Sequence, residues 1–502
     1  DMKLNGYNGG PIEAEGKLNV NYSGNNTVTN DSGSGIRVTD GANEDAELNI
    51  QGDASSTLNV TSSRDAITSV GSINIDGAGT VNATSTEHDA IDAGGDVTIK
   101  GSGNVNATGD SDGIRADGNI TIDNSGTVTA KATEDQGIDA NENLIIKGGG
   151  KVEASSIKDN AIWADGNIEI SGGSQVKASS EEDATIDGKN SLTVTNASLN
   201  ASGVGYGIYV YKGITFDGAT VTVRASAGND EASALFTDED DIVIKNGSIV
   251  DAFAEGQFST AIFTRNYYPN EAGGHIYISD SVVKAIARYV ESGSDGPDHY
   301  SNDQSGEVIP EHRGMNLGIF AQTYEGITPA TISIVRSKVT AEGDTAAIFA
   351  LAVSADGETI GTIEIEGAPI QTPAGGKIIN YYNEEEYGPS ISYEAGQTIG
   401  TGDAVVDSPY NEAVAKSTVI APPEEIKPEE KPGETKPEGS KSEGSKSEGT
   451  KTTKTVAVAA TGAKTTGKLA ATGDASNAAI VAAALAGTAA IAAGAVVSRK
   501  RS

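Results

Sequence analysis

Residues 89–109 read DAIDAGGDVTIKGSGNVNATG, residues 112–132 DGIRADGNITIDNSGTVTAKA, residues 136–156 QGIDANENLIIKGGGKVEASS and residues 160–180 NAIWADGNIEISGGSQVKASS. Each copy holds an apolar first strand, a Gly/Asn/Asp turn, a V/I-x-I second strand, another turn and a third strand. The first strand is marked by Ile67, Ile91, Ile114, Ile138 and Ile162, separated by 24, 23, 24 and 24 residues. Val81, Val105, Val128, Val152 and Val176 mark the third strand with the same separations. Two markers keeping step at a fixed period are the signature of a solenoid in which each copy is one coil. Gly, Asn and Asp cut every apolar triplet short, so the strands are brief. Turns of two to five residues with no helical pattern between strands exclude a βαβ sheet. The expected fold is therefore all-β: a right-handed parallel β-helix with three strands per coil.

The pattern runs from about Ile12 to Ile370. First-strand apolar residues at Ile12, Ile36, Ile67, Ile91, Ile114, Ile138, Ile162, Ile186, Ile208, Phe236, Ile262, Ile319 and Ile348 count about 13 coils. At ~4.8 Å each they form a rod on the order of 60 Å long. The wide interval from Ile36 to Ile67 places a loop insertion at 41–47. Hydrophobic content of 36% and aromatic content of 5% are low for a globular enzyme of 502 residues, yet sufficient for the narrow core of a solenoid. With no Cys, disulfides and thiolate metal sites are excluded. The net charge is −36, and residues 1–420 hold 62 Asp/Glu against 23 Lys/Arg. Such a body repels nucleic-acid phosphates and attracts cations. The chain opens at Asp1 without an initiator Met or signal peptide, as expected of a processed or truncated chain.

The two halves differ. Between Tyr22 and Tyr206 the only aromatic residue is Trp163, whereas all 7 Phe follow Tyr206. Insertions are expected at Arg265–Asn270 and over about Arg288–Asn316, the latter containing His299 and His312. Solenoid insertions become loops on one face, often the binding face. The β-helix is assigned to 1–370, and 371–420 loses the period and is read as its cap. Residues 421–468 (Pro/Glu/Lys/Ser/Gly) have too few apolar side chains to fold and read as a disordered spacer.

Residues 469–502 begin with LAATGD, continue with an Ala/Val/Ile-rich stretch from Ala475 to Val497, and end in Ser498-Arg499-Lys500-Arg501-Ser502. As a helix the apolar stretch would span about 35 Å, enough for a bilayer, with the basic end on the cytoplasmic side. The order of spacer, T-G motif, apolar span and basic tail resembles the cell-wall sorting signal of Gram-positive surface proteins, whose motif reads LPxTG. Leu469, Thr472 and Gly473 match it, while Ala470 stands where the family has Pro. The resemblance implies a sortase as partner, a membrane-spanning C-terminal segment and anchoring to the cell envelope at the surface. An uncleaved membrane anchor is the alternative.

The turn before each first strand is acidic. It contains Glu87 and Asp89, Asp110 and Asp112, Glu134 and Asp135, Asp159, then Glu181, Glu182 and Asp183. Stacked coils would bring these carboxylates within about 5 Å of one another, where like charges raise pKa values or recruit a cation. Calcium, a hard ion taking carboxylate and carbonyl oxygens, fits best. Asp89, Asp110, Asp112, Asp135, Asp159 and Asp183 are its candidate ligands, with the D-x-D at 110–112 foremost. Asp and Asn also serve simply as turn formers facing water. Tyr267 with Tyr268, Tyr381 with Tyr382, and outward-pointing Trp163 are candidate sugar-stacking residues. Packing of loop and cap onto the rod is the competing role for the tyrosines.

The D-G-I-x-A…L/I-x-I…G-G-x-V-x-A repeat, from Ile36 to Ala252, resembles a family of bacterial carbohydrate-binding β-helix proteins, non-catalytic relatives of pectate lyases. Gln136 and Asn160 depart from the family's Asp. The resemblance implies calcium at the acidic turns and a uronate-containing polysaccharide, such as pectin or polygalacturonate, as ligand. A surface adhesin meeting host or neighbouring-cell partners is a competing expectation. A polysaccharide lyase or hydrolase using the His299/His312 insertion is another, since fold alone does not confer function.

Overall fold

The computed structural model describes residues 1–42, 45–227, 231–266, 273–290, 316–324, 330–343, 346–353, 361–366, 370–371, 377–383 and 405–407. Their strands stack in register into three parallel sheets of 15, 14 and 14 strands, built from the first, second and third strands of the repeat respectively. The first sheet runs Ile67↔Ile91↔Ile114↔Ile138↔Ile162, and the third runs Val81↔Val105↔Val128↔Val152↔Val176. Both sequence markers are thus columns of the core. One coil contributes Ile114 and Ala116, Ile120 and Ile122, then Val128 and Ala130, each at most 1% exposed. Small aliphatic side chains suffice because three sheets converge on one narrow column, each larger side chain contributing about 1.5–3 kcal/mol by burial. The turns between second and third strands need the left-handed backbone: Gly77 (φ 120°), Gly101 (φ 98°) and Gly148 (φ 91°) recur there.

Three features differ from the sequence reading, and a fourth adds to it. Leu235, not Phe236, continues the core column between Ile208 and Ile262. Both are apolar, so hydrophobicity alone cannot set the register, and strand alternation turns Phe236 to the outer face. A fourteenth turn continues beyond Ile348, with Thr362–Glu366, Ile370–Gln371 and Lys377–Asn383 joining the sheets. Arg265 and Asn266 belong to the strand Phe258–Asn266 and pair with Gln322 and Thr323, so the insertion begins after them. The aromatic half carries a second, outer stack: Tyr209, Phe236, Phe263, Phe320 and Phe349, with ring centroids 4.7–5.2 Å apart. Their phenylalanines are only 1–3% exposed. Stacked rings cover one another's faces, so this column is packing rather than a row of sugar platforms.

The core column crosses the interruptions unchanged. Ile36 pairs with Ile67 across the interval containing 41–47, and Ile262 pairs with Ile319 although the intervening chain also supplies Ile276–Ser279 and Val282–Tyr289 to the other sheets. The longer insertion falls in the sequence between a third strand, Val282–Tyr289, and the next first strand, Asn316–Tyr324, the position of the acidic turn in the regular coils.

Candidate cation and glycan site

The acidic turn divides into two columns. Asp65, Asp89 and Asp112 immediately precede the residue before each core isoleucine, and Gln136 and Asn160 follow them in the same column. Asp89 Oδ1 accepts the backbone N–H of Asp112 at 2.9 Å, and Asp112 Oδ1 accepts that of Gln136 at 2.7 Å. Each carboxylate therefore ties its turn to the next coil. At Asn160 the amide keeps the role in reverse, donating Nδ2–H to the Ala184 carbonyl at 3.0 Å.

Asp135, Asp159 and Asp183 lie one residue earlier, in the later coils. Asp159 Oδ1 accepts the N–H of Asn160 at 2.7 Å, and Asp183 Oδ1 that of Ala184 at 2.6 Å. Ser156 and Ser180 hydroxyls accept the N–H of Asp159 and Asp183, both at 3.1 Å. Turn formation thus engages the Asp159 and Asp183 carboxylates locally, whereas that of Asp135 accepts from the Ser111 side chain of the preceding coil. The carbonyl of Asp110 accepts the N–H groups of Thr133 (3.1 Å) and Glu134 (2.7 Å).

Among the described residues the tightest carboxylate group is Asp65, Asp89 and Asp92, one oxygen of each lying within 4.8 Å of the others. Two oxygens on one calcium can stand no further apart than twice the Ca–O distance, about 5 Å, a condition this triad meets. Asp92 faces outward because it follows core Ile91. Thr68 Oγ1 donates to it at 3.2 Å, and Arg115 Nη1 at 2.9 Å. Arg115 also meets Asp117 at 2.5 Å and Asp139 at 3.7 Å. The remaining oxygen of Asp139 is buried without a hydrogen-bond partner. One guanidinium among these carboxylates leaves the cluster an excess of negative charge.

Burial, reinforced by neighbouring carboxylates, raises the acids. Asp89 is pushed up to about 6 by burial with Asp92 and Asp65, and Asp112 to about 8 by burial with Asp89 and Asp139. Burial likewise lifts Asp139 to about 6 against the pull of Arg115, and raises Asp92. Between the ordinary carboxylate range near pH 4 and these raised values, the folded chain holds more protons than the unfolded chain. These groups therefore favour folding most below pH 4, and their contribution is lost as pH rises towards 6 for Asp89 and Asp139 and 8 for Asp112. Calorimetric melting in chelator should give a Tm lower at pH 8 than at pH 5 by on the order of 3 °C or more. Calcium should recover more of it at pH 8 than at pH 5. A Tm that rises with pH in chelator would contradict this electrostatic picture.

Of the sequence candidates, the triad takes in only Asp89; Asp112 is its neighbour in the column, and Asp110, Asp135, Asp159 and Asp183 have the separate turn positions given above. Asp65, Asp92 and Asp139 were missed. The available signal was I-D-A at 91–93 and 138–140, where an acid directly after a core isoleucine must point outward. Trp163 does face outward, half-buried, in register with Asp139 and Asp187, and the Lys189 ammonium lies 5.2 Å from its ring centroid. Tyr381 and Tyr382 fall in the strand Lys377–Asn383 opposite Leu351 and Ala352. Tyr267 and Tyr268, the spacer, and Leu469, Thr472 and Gly473 lie outside the described residues. Among the described residues no helix is long and apolar enough to cross a membrane; the apolar stretch 475–497 is outside them.

Fold and site together define a parallel β-solenoid bearing an acidic cluster across two adjoining coils. No protein-family model matches the chain, and neither a curated protein nor a solved structure matches it.

Proposed function

We propose that this chain is a cell-surface, carbohydrate-binding, right-handed β-helix that holds acidic polysaccharide of the polygalacturonate type through calcium. The observation carrying the reading is the Asp65–Asp89–Asp92 triad, whose oxygens lie close enough for one ion. Asp65, Asp89 and Asp92 would ligate the calcium, and a bound calcium would offer its remaining coordination positions to uronate carboxylates. Thr68 and Arg115 hold Asp92 in place. A net charge of −36 opposes a polyanionic ligand, so bridging cations are what make the pairing favourable. The sorting-signal-like tail at Leu469, Thr472 and Gly473, with its apolar span, supports placement at the envelope of a Gram-positive cell. Sedimentation with polygalacturonate beads tests the reading. In calcium the wild-type chain should pellet, and the Asp65→Asn/Asp89→Asn/Asp92→Asn variant should lose at least nine-tenths of that binding. Equal retention of the two would remove the triad from the function.

A further inference from the structure

The outer face of the third sheet has a charge character opposite to the rest of the rod. Its outward positions in the early coils are uncharged: Thr57, Asn59 and Thr61; Thr80, Asn82 and Thr84; Asn104, Asn106 and Thr108. The asparagines form a side-chain ladder, Asn106 Nδ2 donating to Asn82 Oδ1 and Asn82 Nδ2 to Asn59 Oδ1, both at 2.8 Å. Lysines then take over at Lys131, Lys151 and Lys177. From residue 57 to residue 226 the single acid on this face is Glu153. Lys151 pairs with it at 2.5 Å, and Lys151, Lys177 and Lys131 together hold its carboxyl below the ordinary range. One carboxylate among three exposed ammonium groups leaves a surplus of positive charge, on a chain whose net charge is −36.

The same face is indented. A shallow open trough of about 230 Å³ crosses four coils, lined chiefly by Lys151, Gln175, Lys177, Ser198, Asn200 and Thr222. Register sets Lys151, Gln175 and Ser198 in one row and Glu153, Lys177, Asn200 and Thr222 in the next. Rows of equivalent positions repeat every ~4.8 Å along the rod, a spacing comparable to one pyranose of a stretched polysaccharide. The lining offers ammonium groups for carboxylates and amide and hydroxyl groups for sugar hydroxyls. It contains no aromatic side chain on which a base would stack, which disfavours a single-stranded nucleic acid. The strands carrying Lys131, Lys151 and Lys177 also lead straight into the acidic turns.

We infer that a uronate-bearing polysaccharide lies along the third sheet, with carboxylates on Lys131, Lys151 and Lys177 and hydroxyls on Gln175, Ser198 and Asn200. This rests on the acidic-glycan reading above and supplies the surface that the sugar chain contacts directly, whereas the calcium triad sits a few coils nearer the N-terminus. The three lysines are exposed, so their removal leaves the core untouched.

Calorimetric titration of the full chain with an oligogalacturonide in calcium tests it. The Lys131→Ala/Lys151→Ala/Lys177→Ala variant should bind at least tenfold more weakly and with a flatter dependence on salt, because screened ammonium–carboxylate attraction has been removed. The corresponding triple Arg variant should keep wild-type affinity within a factor of about 3, since the charge stays. An Ala variant binding within twofold of wild type would overturn the trough while leaving the calcium triad standing. Absence of heat from the wild-type chain would overturn both.

Discussion

Arg265→Met is expected to destabilise the folded chain by about 3–5 kcal/mol, the cost of leaving a buried charge without its partner. Arg265 is 1% exposed and Asp238 9%. The Arg265 Nε and Nη2 groups both donate to Asp238, the latter at 3.1 Å, and the guanidinium lies 4.8 Å from the Phe236 ring centroid. Without the guanidinium, Asp238 would keep the Tyr209 hydroxyl, at 3.2 Å, but lose its countercharge. The aromatic stack would lose its cationic lid as well. Urea unfolding followed by far-UV circular dichroism would measure the change. Adding Asp238→Leu should recover much of the loss, because the stranded carboxylate causes most of it. A loss below about 1 kcal/mol in the single variant would show that water reaches the pair.

Ile138→Ala should cost about 2–5 kcal/mol. Ile138 is fully buried and stands between Ile114 and Ile162 in the core column. Each coil contacts chiefly its two neighbours, so a cavity here weakens two interfaces and divides the rod into separately melting halves. Trp163 is the single Trp of the chain and adjoins Ile162, so its fluorescence reports on this neighbourhood. In the variant, the Trp163 transition should move to lower urea than the transition of the whole chain. Coincident transitions at the wild-type midpoint would show that the coil repacks around the missing atoms.

The regular half of the fold was legible because one aliphatic residue recurs there at nearly constant spacing, and nothing else in the repeat competes for the core. Register became ambiguous at Leu235-Phe236, where two apolar residues stand side by side. At Arg265 a charged residue next to a polar segment reads as the start of a loop, yet tertiary packing draws it into a strand and buries it. Acidity of the turns was legible in composition; which carboxylates meet was not. Asp89 and Asp92 converge with Asp65 because one sits in the turn and the other on the outer face of the adjoining strand, a relation that needs the pleat as well as the period. Lys131, Lys151 and Lys177 were passed over for a similar reason. They are scattered in sequence, and become one patch only when the third strands are laid in register.

The central claim is that calcium couples this acidic rod to an acidic glycan. Calorimetric titration of the full chain with soluble polygalacturonate, in calcium and again in chelator, tests it most directly. Binding in calcium that weakens at least tenfold in chelator is the predicted result. Equal affinity in both conditions, or no heat in either, would contradict it.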